Sequence, residues 1–276
     1  MRTGPRPAAR GLAGLALLAL GAVLVPAACS GTAREPDGTG VSLPPGGAPF
    51  DYQIGEPYAP HPETRIVARD RTAEPAPGAY NICYVNAFQA QPGELPWWRT
   101  EHADLLLRDG DGYVIDRDWD EVLLDISSPA GRGELAGVVG GWIDGCAAHG
   151  FDAIEPDNLD SYTRSGGLLS RADAAAFAAL LTRRAHEAGL AVAQKNDADL
   201  AADGPAIGFD FAIAEECNRW SECDAYADAY GTRVLVIEYR DEDFDAGCAA
   251  WPELSIVRRD RDVTAPGAAG YRYDAC

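Results

Sequence analysis

Short apolar runs that end in polar residues recur along the chain. They are DYQIG (51–55), RIVARD (65–70), YNICYVN (80–86), EVLLDIS (121–127), FDAIEPDN (151–158), LAVAQKN (190–196), FDFAIAEE (209–216), RVLVIEYR (233–240) and LSIVRRD (254–260). Runs of this length, rich in Val, Ile and aromatics, predict buried strands. Helical segments separate the later ones. Ser170, with Asp173 three residues on, predicts a capping box ahead of AAAFAALLTRRAHEA, which stops at Gly189. Residues 132–148 carry Leu135, Val138, Val139, Trp142 and Ile143 at three- and four-residue spacing, so Trp142 reads as core packing in preference to a sugar platform. Strands alternating with helices predict parallel βα units and a single (β/α)8 TIM-like barrel. Nine runs compete for eight barrel positions, so one of them is an extra strand or lies outside the barrel.

The N-terminus departs from this pattern. Arg2, Arg6 and Arg10 precede an apolar run from Gly11 to Val25, and small residues lead to Cys29, the order of parts in a secretory signal peptide. The run is short for a membrane span. Cys29 after Ala27 and Ala28 matches a bacterial lipobox, with Pro26 where Leu is usual. The expected organisation is a signal peptide over 1–28 with Cys29 lipidated, a flexible Gly/Pro-rich tether over 29–49, and a barrel domain over 50–276. That organisation predicts an extracytoplasmic monomer touching the membrane only through its anchor, with plain secretion and a free Cys29 as the alternative.

Composition fits export. Apart from Cys29 there are six cysteines, Cys83, Cys146, Cys217, Cys223, Cys248 and Cys276, an even number suited to an oxidising compartment. Cys217 with Cys223 is the easiest local bridge, and Cys83 could meet Cys146 on a covering helix. No C-x-x-C spacing occurs, which argues against structural zinc or a thioredoxin-like centre. The net charge is −20, and every charge in residues 1–28 is an arginine, so the remainder is more acidic still. Such a surface repels nucleic acid and favours encounter with cations, although acid can also serve solubility alone.

The chemistry gathers at the predicted strand ends: Asp70, Asn86, Asp125, Asp157 with Asn158, Lys195 with Asn196, Glu215, Glu238 with Tyr239, and Asp260. Asp and Asn there can simply cap the following helix. A carboxylate at most ends instead predicts one shared polar mouth, where such barrels carry their active sites. In FDAIEPDNLDSY (151–162), alternation turns Ala153, Glu155 and Asp157 to one side. His61, His102, His149 and His186 all miss the strand ends, which leaves a Ser-His-Asp triad or His-ligated zinc unsupported. Paired carboxylates without a metal or other cofactor can cleave a glycosidic bond, one protonating the leaving oxygen while the other attacks the anomeric carbon or activates water. Lys195 is the sole lysine, and it too falls at a strand end.

The segments YNICYVNAFQAQP, DWDEVLLDIS, GFDAIEPDNLDSY, AHEAGLAVAQKN, FDFAIAEEC and VLVIEY resemble, in order, glycoside hydrolase family 114, the endo-α-1,4-polygalactosaminidases. The specific elements are EPDN-x-D and E-x-C. The resemblance implies a (β/α)8 barrel that cleaves internal α-1,4 linkages of galactosamine-containing exopolysaccharide, a polymer that is cationic when its amines are free. It implies that Asp157 is nucleophile or electrostatic stabiliser and Glu215, two residues before Cys217, the general acid/base. Alternation turns Glu216 away from Glu215. Tyr84, Asn86, Asp125, Asn158, Asp160, Tyr162, Lys195 and Glu238 are then the expected lining of the substrate cleft. The alternatives are a glycosidase acting on another glycan and a lipid-anchored polysaccharide-binding protein that does no hydrolysis.

Overall fold

The computed structural model describes Gly4 and residues 40–276. Apart from Gly4, the expected signal peptide, Cys29 and the first half of the tether lie outside the described residues.

Among the described residues, eight parallel strands run in chain order around the barrel: β1 (Phe50–Gln53), β2 (Ile66–Asp70), β3 (Tyr80–Asn86), β4 (Ala153–Asp157), β5 (Ala191–Lys195), β6 (Phe211–Glu215), β7 (Val234–Glu238) and β8 (Ser255–Arg259). β1 approaches β8, which nearly closes the barrel, while the free edge of β8 pairs with the antiparallel β9 (Tyr273–Ala275). The helices are α1 (Leu95–Glu101), α2 (Pro129–His149), α3 (Arg171–Glu187), α4 (Gly204–Ile207), α5 (Cys217–Trp220), α6 (Cys223–Tyr230) and α7 (Asp241–Ala250). Ser128 caps α2 by accepting from Gly131 N at 3.0 Å, and Ser170 and Asp173 form the expected box at α3.

The period of two along each strand divides the core. Inward residues form a lower layer of Phe50, Tyr52, Tyr80, Ala153, Ala193 and Phe211, in which alanines on one side make room for aromatic rings on the other. Outward residues pack beneath the helices in a second, larger cluster that includes Leu135, Val139 and Ile143 of α2 and Phe177 and Leu181 of α3. Trp142 packs at its edge with the Arg71 guanidinium 4.4 Å from its ring. Disulfides join Cys83 to Cys146, Cys217 to Cys223 and Cys248 to Cys276, the first tying β3 to α2.

Three features depart from the sequence reading. EVLLDIS is not a barrel strand: Glu121–Leu123 pairs antiparallel with Ile115–Asp116 and with Gln89–Ala90 in a small sheet inserted between β3 and α2. LSIVRRD supplies the eighth strand instead. The connections after β1 and β2 contain no helix, and polar groups seal the outer face of the barrel there. Buried Asp51 meets Arg259 at 3.4 Å and accepts from the Tyr58 hydroxyl at 2.8 Å, while Arg69 donates to Gln53 at 3.0 Å. Lastly, the end of the expected tether is packed. Val41 and Pro44 are buried, Val41 within the inner cluster, and Ser42 O accepts from the Tyr80 hydroxyl at 2.7 Å.

Candidate active site

Two residues further along each strand, at the next inward position, the side chains change from apolar to polar or charged. Above Ala153 stand Glu155 and Asp157, above Ala193 stands Lys195, above Ile213 stands Glu215, above Ile82 stands Tyr84, and beyond Ile237 stands Tyr239. These side chains meet around the Lys195 ammonium, which is only 2 % exposed. Its nitrogen lies 2.9 Å from Asp157 Oδ1, 3.1 Å from Glu155 Oε1 and 3.4 Å from Glu215 Oε2. A buried charge requires partners, and each of these groups supplies them to the others.

The environment treats the carboxylates differently. Burial works to raise the Asp157 pKa, but the Lys195 ammonium, the Tyr84 hydroxyl at 2.8 Å and the Asn158 amide N–H at 2.8 Å outweigh it and hold Asp157 below the ordinary aspartate value. Glu155 is fully buried beneath it, accepts from the Tyr52 hydroxyl at 2.7 Å, and is pushed by burial up to about 7. Burial would depress Lys195, yet Asp157, Glu215 and Glu155 together raise it well above its usual value. Glu215 is held by the Asn196 side-chain amide at 3.1 Å and by the Tyr239 hydroxyl. Burial raises the pKa of Tyr52, Tyr84 and Tyr239, so all three remain donors.

Asp157 and Glu215 reach the floor of a cavity of about 370 Å³. One wall comes from the inserted sheet, where Asp116 and Glu121 face each other across the strand pair and both line the cavity. Burial pushes Glu121 up to about 7. Arg164 lies 2.7 Å from Asp116 and 2.9 Å from Asp160 and fixes that side. The opposite rim comes from the loop after β8, with Arg261, Asp262 and Val263. Seven carboxylates line the cavity against three cationic side chains, a lining suited to a cation.

The structure brings together Tyr84, Asp157, Asn158, Asp160, Lys195 and Glu215 of the residues expected from sequence. Asn86 lies buried behind the lining, donating to Glu121 at 2.8 Å and accepting from Asn158 at 3.0 Å. Tyr162 is turned aside, its hydroxyl 3.2 Å from Asp197. Asp125 is a correction: its run is not a barrel strand, and its carboxylate accepts from Ser127 N at 3.0 Å in the turn before α2. Glu238 is a second correction. Leu235 and Ile237 point inward, so Glu238 points outward, where it is buried and accepts from Asn218 N of α5 at 2.9 Å. Its neighbour Tyr239 takes the inward position. Glu216 turns out of the strand with φ 56° and pairs with Arg219, leaving Glu215 alone of the two at the floor. Sequence reasoning names Tyr239 at its strand end but carries Glu238 to the cleft in its place; it misses Tyr52, and it misses Asp116, Glu121 and Trp119, which no strand-end signal marks.

A barrel whose strand ends bring two carboxylates to the floor of an open cavity has the architecture of a glycoside hydrolase. The sequence profile of glycoside hydrolase family GH114 matches residues 31–276, and the chain belongs to that family. Its fold is similar to that of Ega3 from Aspergillus fumigatus, solved in complex with galactosamine, with 21 % identity, 86 % of this chain and 98 % of that chain covered, and a TM-score of 0.68. It is also similar to the glycoside hydrolase domain of PelA from Pseudomonas aeruginosa, with 16 % identity, 82 % and 98 % coverage, and a TM-score of 0.55. No curated protein matches its sequence.

Proposed function

We propose that this hydrolase cleaves internal α-1,4 linkages of a galactosamine-containing exopolysaccharide, with Asp157 as nucleophile and Glu215 as general acid/base. The observation that carries the reading is the meeting of both carboxylates on one ammonium at the floor of an acidic cavity. Asp157, kept anionic, suits attack on the anomeric carbon. Glu215, 27 % exposed at the same floor, suits proton transfer to the leaving oxygen and then from water. Their facing oxygens lie 2.9 and 3.4 Å from the same nitrogen, so they are closer to each other than the two lengths added together. The separation of the two carboxyl groups sets the stereochemistry, about 5–5.5 Å for retention and roughly 6.5–9.5 Å for inversion.

The acidic lining supports a substrate carrying free amines, and the galactosamine bound to the Aspergillus fumigatus neighbour supports the sugar. Three disulfides suit an oxidising, extracytoplasmic setting. Lipid anchoring at Cys29, the remaining part of the reading, is an attachment that Cys29→Ser would remove.

The test is to incubate the purified protein with de-N-acetylated and fully acetylated α-1,4-galactosamine polymers and follow new reducing ends. Rapid shortening of the first and slow cleavage of the second is expected. A folded protein that binds the de-N-acetylated polymer without cleaving it would replace the hydrolase with a binder.

A further inference from the structure

Three tryptophans are substantially exposed among the described residues, and two have ordinary explanations. Trp97 packs edge-on against Trp98 and tilted against Trp142, and Trp220 lies beneath its own neighbour Arg219 outside the cavity lining. Trp119 differs. It is 50 % exposed, yet it lines the cavity above Asp157 and Glu215. Leaving half an indole in water forgoes much of what its burial would contribute, so its position at the mouth calls for an occupant.

The backbone holds the ring there. Trp119 stands on the four-residue tip of the inserted hairpin, between Asp116 and Glu121, which pair across the strands. Asp118 N donates to Asp116 Oδ1 at 3.0 Å, and Asp120 takes the left-handed conformation with φ 56° that an aspartate tolerates. The ring is therefore presented by a fixed turn. Its face is covered by a residue from another loop: the Arg261 guanidinium, which follows β8, lies 5.4 Å from the ring centroid. Arg261 and Tyr239, the donor to Glu215, line the same cavity.

We propose that Trp119 is the platform of an outer sugar subsite whose ring face a sugar and the Arg261 guanidinium compete for. An amino-sugar ring, apolar on its C–H face and cationic at its ammonium, takes the ring surface that the guanidinium covers, and Asp118 and Asp262 flank it. Both occupants offer what an indole face attracts, a flat surface with positive charge. Displacement also removes a like charge from the path of a cationic chain. The inference rests on the proposed galactosamine substrate and adds to it the residues that seat a second sugar.

The two residues have opposite predicted signs, which a merely structural pair would not show. In a Glu215→Gln background, binding of a de-N-acetylated α-1,4-galactosamine oligomer is measured by isothermal titration calorimetry. Trp119→Ala should weaken binding about tenfold and Trp119→Phe much less. Arg261→Ala should tighten it. In the cleaving enzyme the same variants should move KM in the same directions with smaller changes in kcat. Circular dichroism checks each fold, and Trp119→Leu, which should weaken binding as the Ala variant does, carries the test if the Ala variant does not fold. Unchanged affinity in folded Trp119→Ala or Trp119→Leu protein overturns the platform. Weakening by Arg261→Ala overturns the displacement. If the parent protein neither binds nor cleaves the oligomer, the functional reading fails and takes this inference with it.

Discussion

At the scale of single residues, Lys195 decides the charge state of the site. Asp157 stays anionic despite burial chiefly because that ammonium lies 2.9 Å away. Lys195→Met should therefore raise the Asp157 pKa and move the acidic limb of the kcat/KM profile to higher pH, by about one unit or more. A limb that stays in place in a folded variant would show that Tyr84 and Asn158 suffice. Alternation put Glu155 and Asp157 on one side of their strand and separated Glu215 from Glu216, while the family resemblance singled out Asp157 and Glu215. Alternation did not separate Glu238 from Tyr239. The run VLVIE is apolar on both faces, as a strand buried on both sides must be, so nothing in it marks which face is inward.

At the scale of elements, EVLLDIS illustrates a limit of pattern reading. An apolar run bounded by polar residues looks alike in a barrel and in a small antiparallel insertion, and only pairing partners distinguish them. The error carried Asp125 into the expected cleft and hid Glu121 at the start of the same run. The helix caps at Ser128 and Ser170, by contrast, depend on local geometry, and the capping box was legible. The Cys83–Cys146 bridge was legible as a possibility because strand parity turned Cys83 outward. It closes a separation of 63 residues across the insertion. In the chain-entropy account, replacing both cysteines with alanine should cost about 4 kcal/mol, read as a lower urea midpoint with a somewhat higher m-value as the unfolded chain expands. A change near zero would mean that packing of α2 on β3 holds the insertion without the crosslink.

For the whole molecule, acid is concentrated where it is costly as well as where it is useful. Glu121, Glu155 and Glu238 are each raised from 4.5 to about 7 by burial, and Asp197 from 3.8 to about 6. Over roughly pH 4.5–7 the folded protein holds protons that the unfolded chain has released, so stability falls as pH rises through that window. Thermal unfolding should show a higher Tm at pH 5 than at pH 7.5, and a flat or rising Tm would contradict the assigned burial. The same acidity makes the cleft attractive to a cationic polymer, an attraction that salt should weaken. The central claim is that Asp157 and Glu215 perform the cleavage, and the most direct measurement is reducing-end release from de-N-acetylated α-1,4-galactosamine polymer by Asp157→Asn, Glu215→Gln and Glu216→Gln beside the parent protein. The account predicts that the first two lose most turnover while remaining folded and able to bind polymer, and that Glu216→Gln stays near the parent. Near-parent turnover in either of the first two would contradict it.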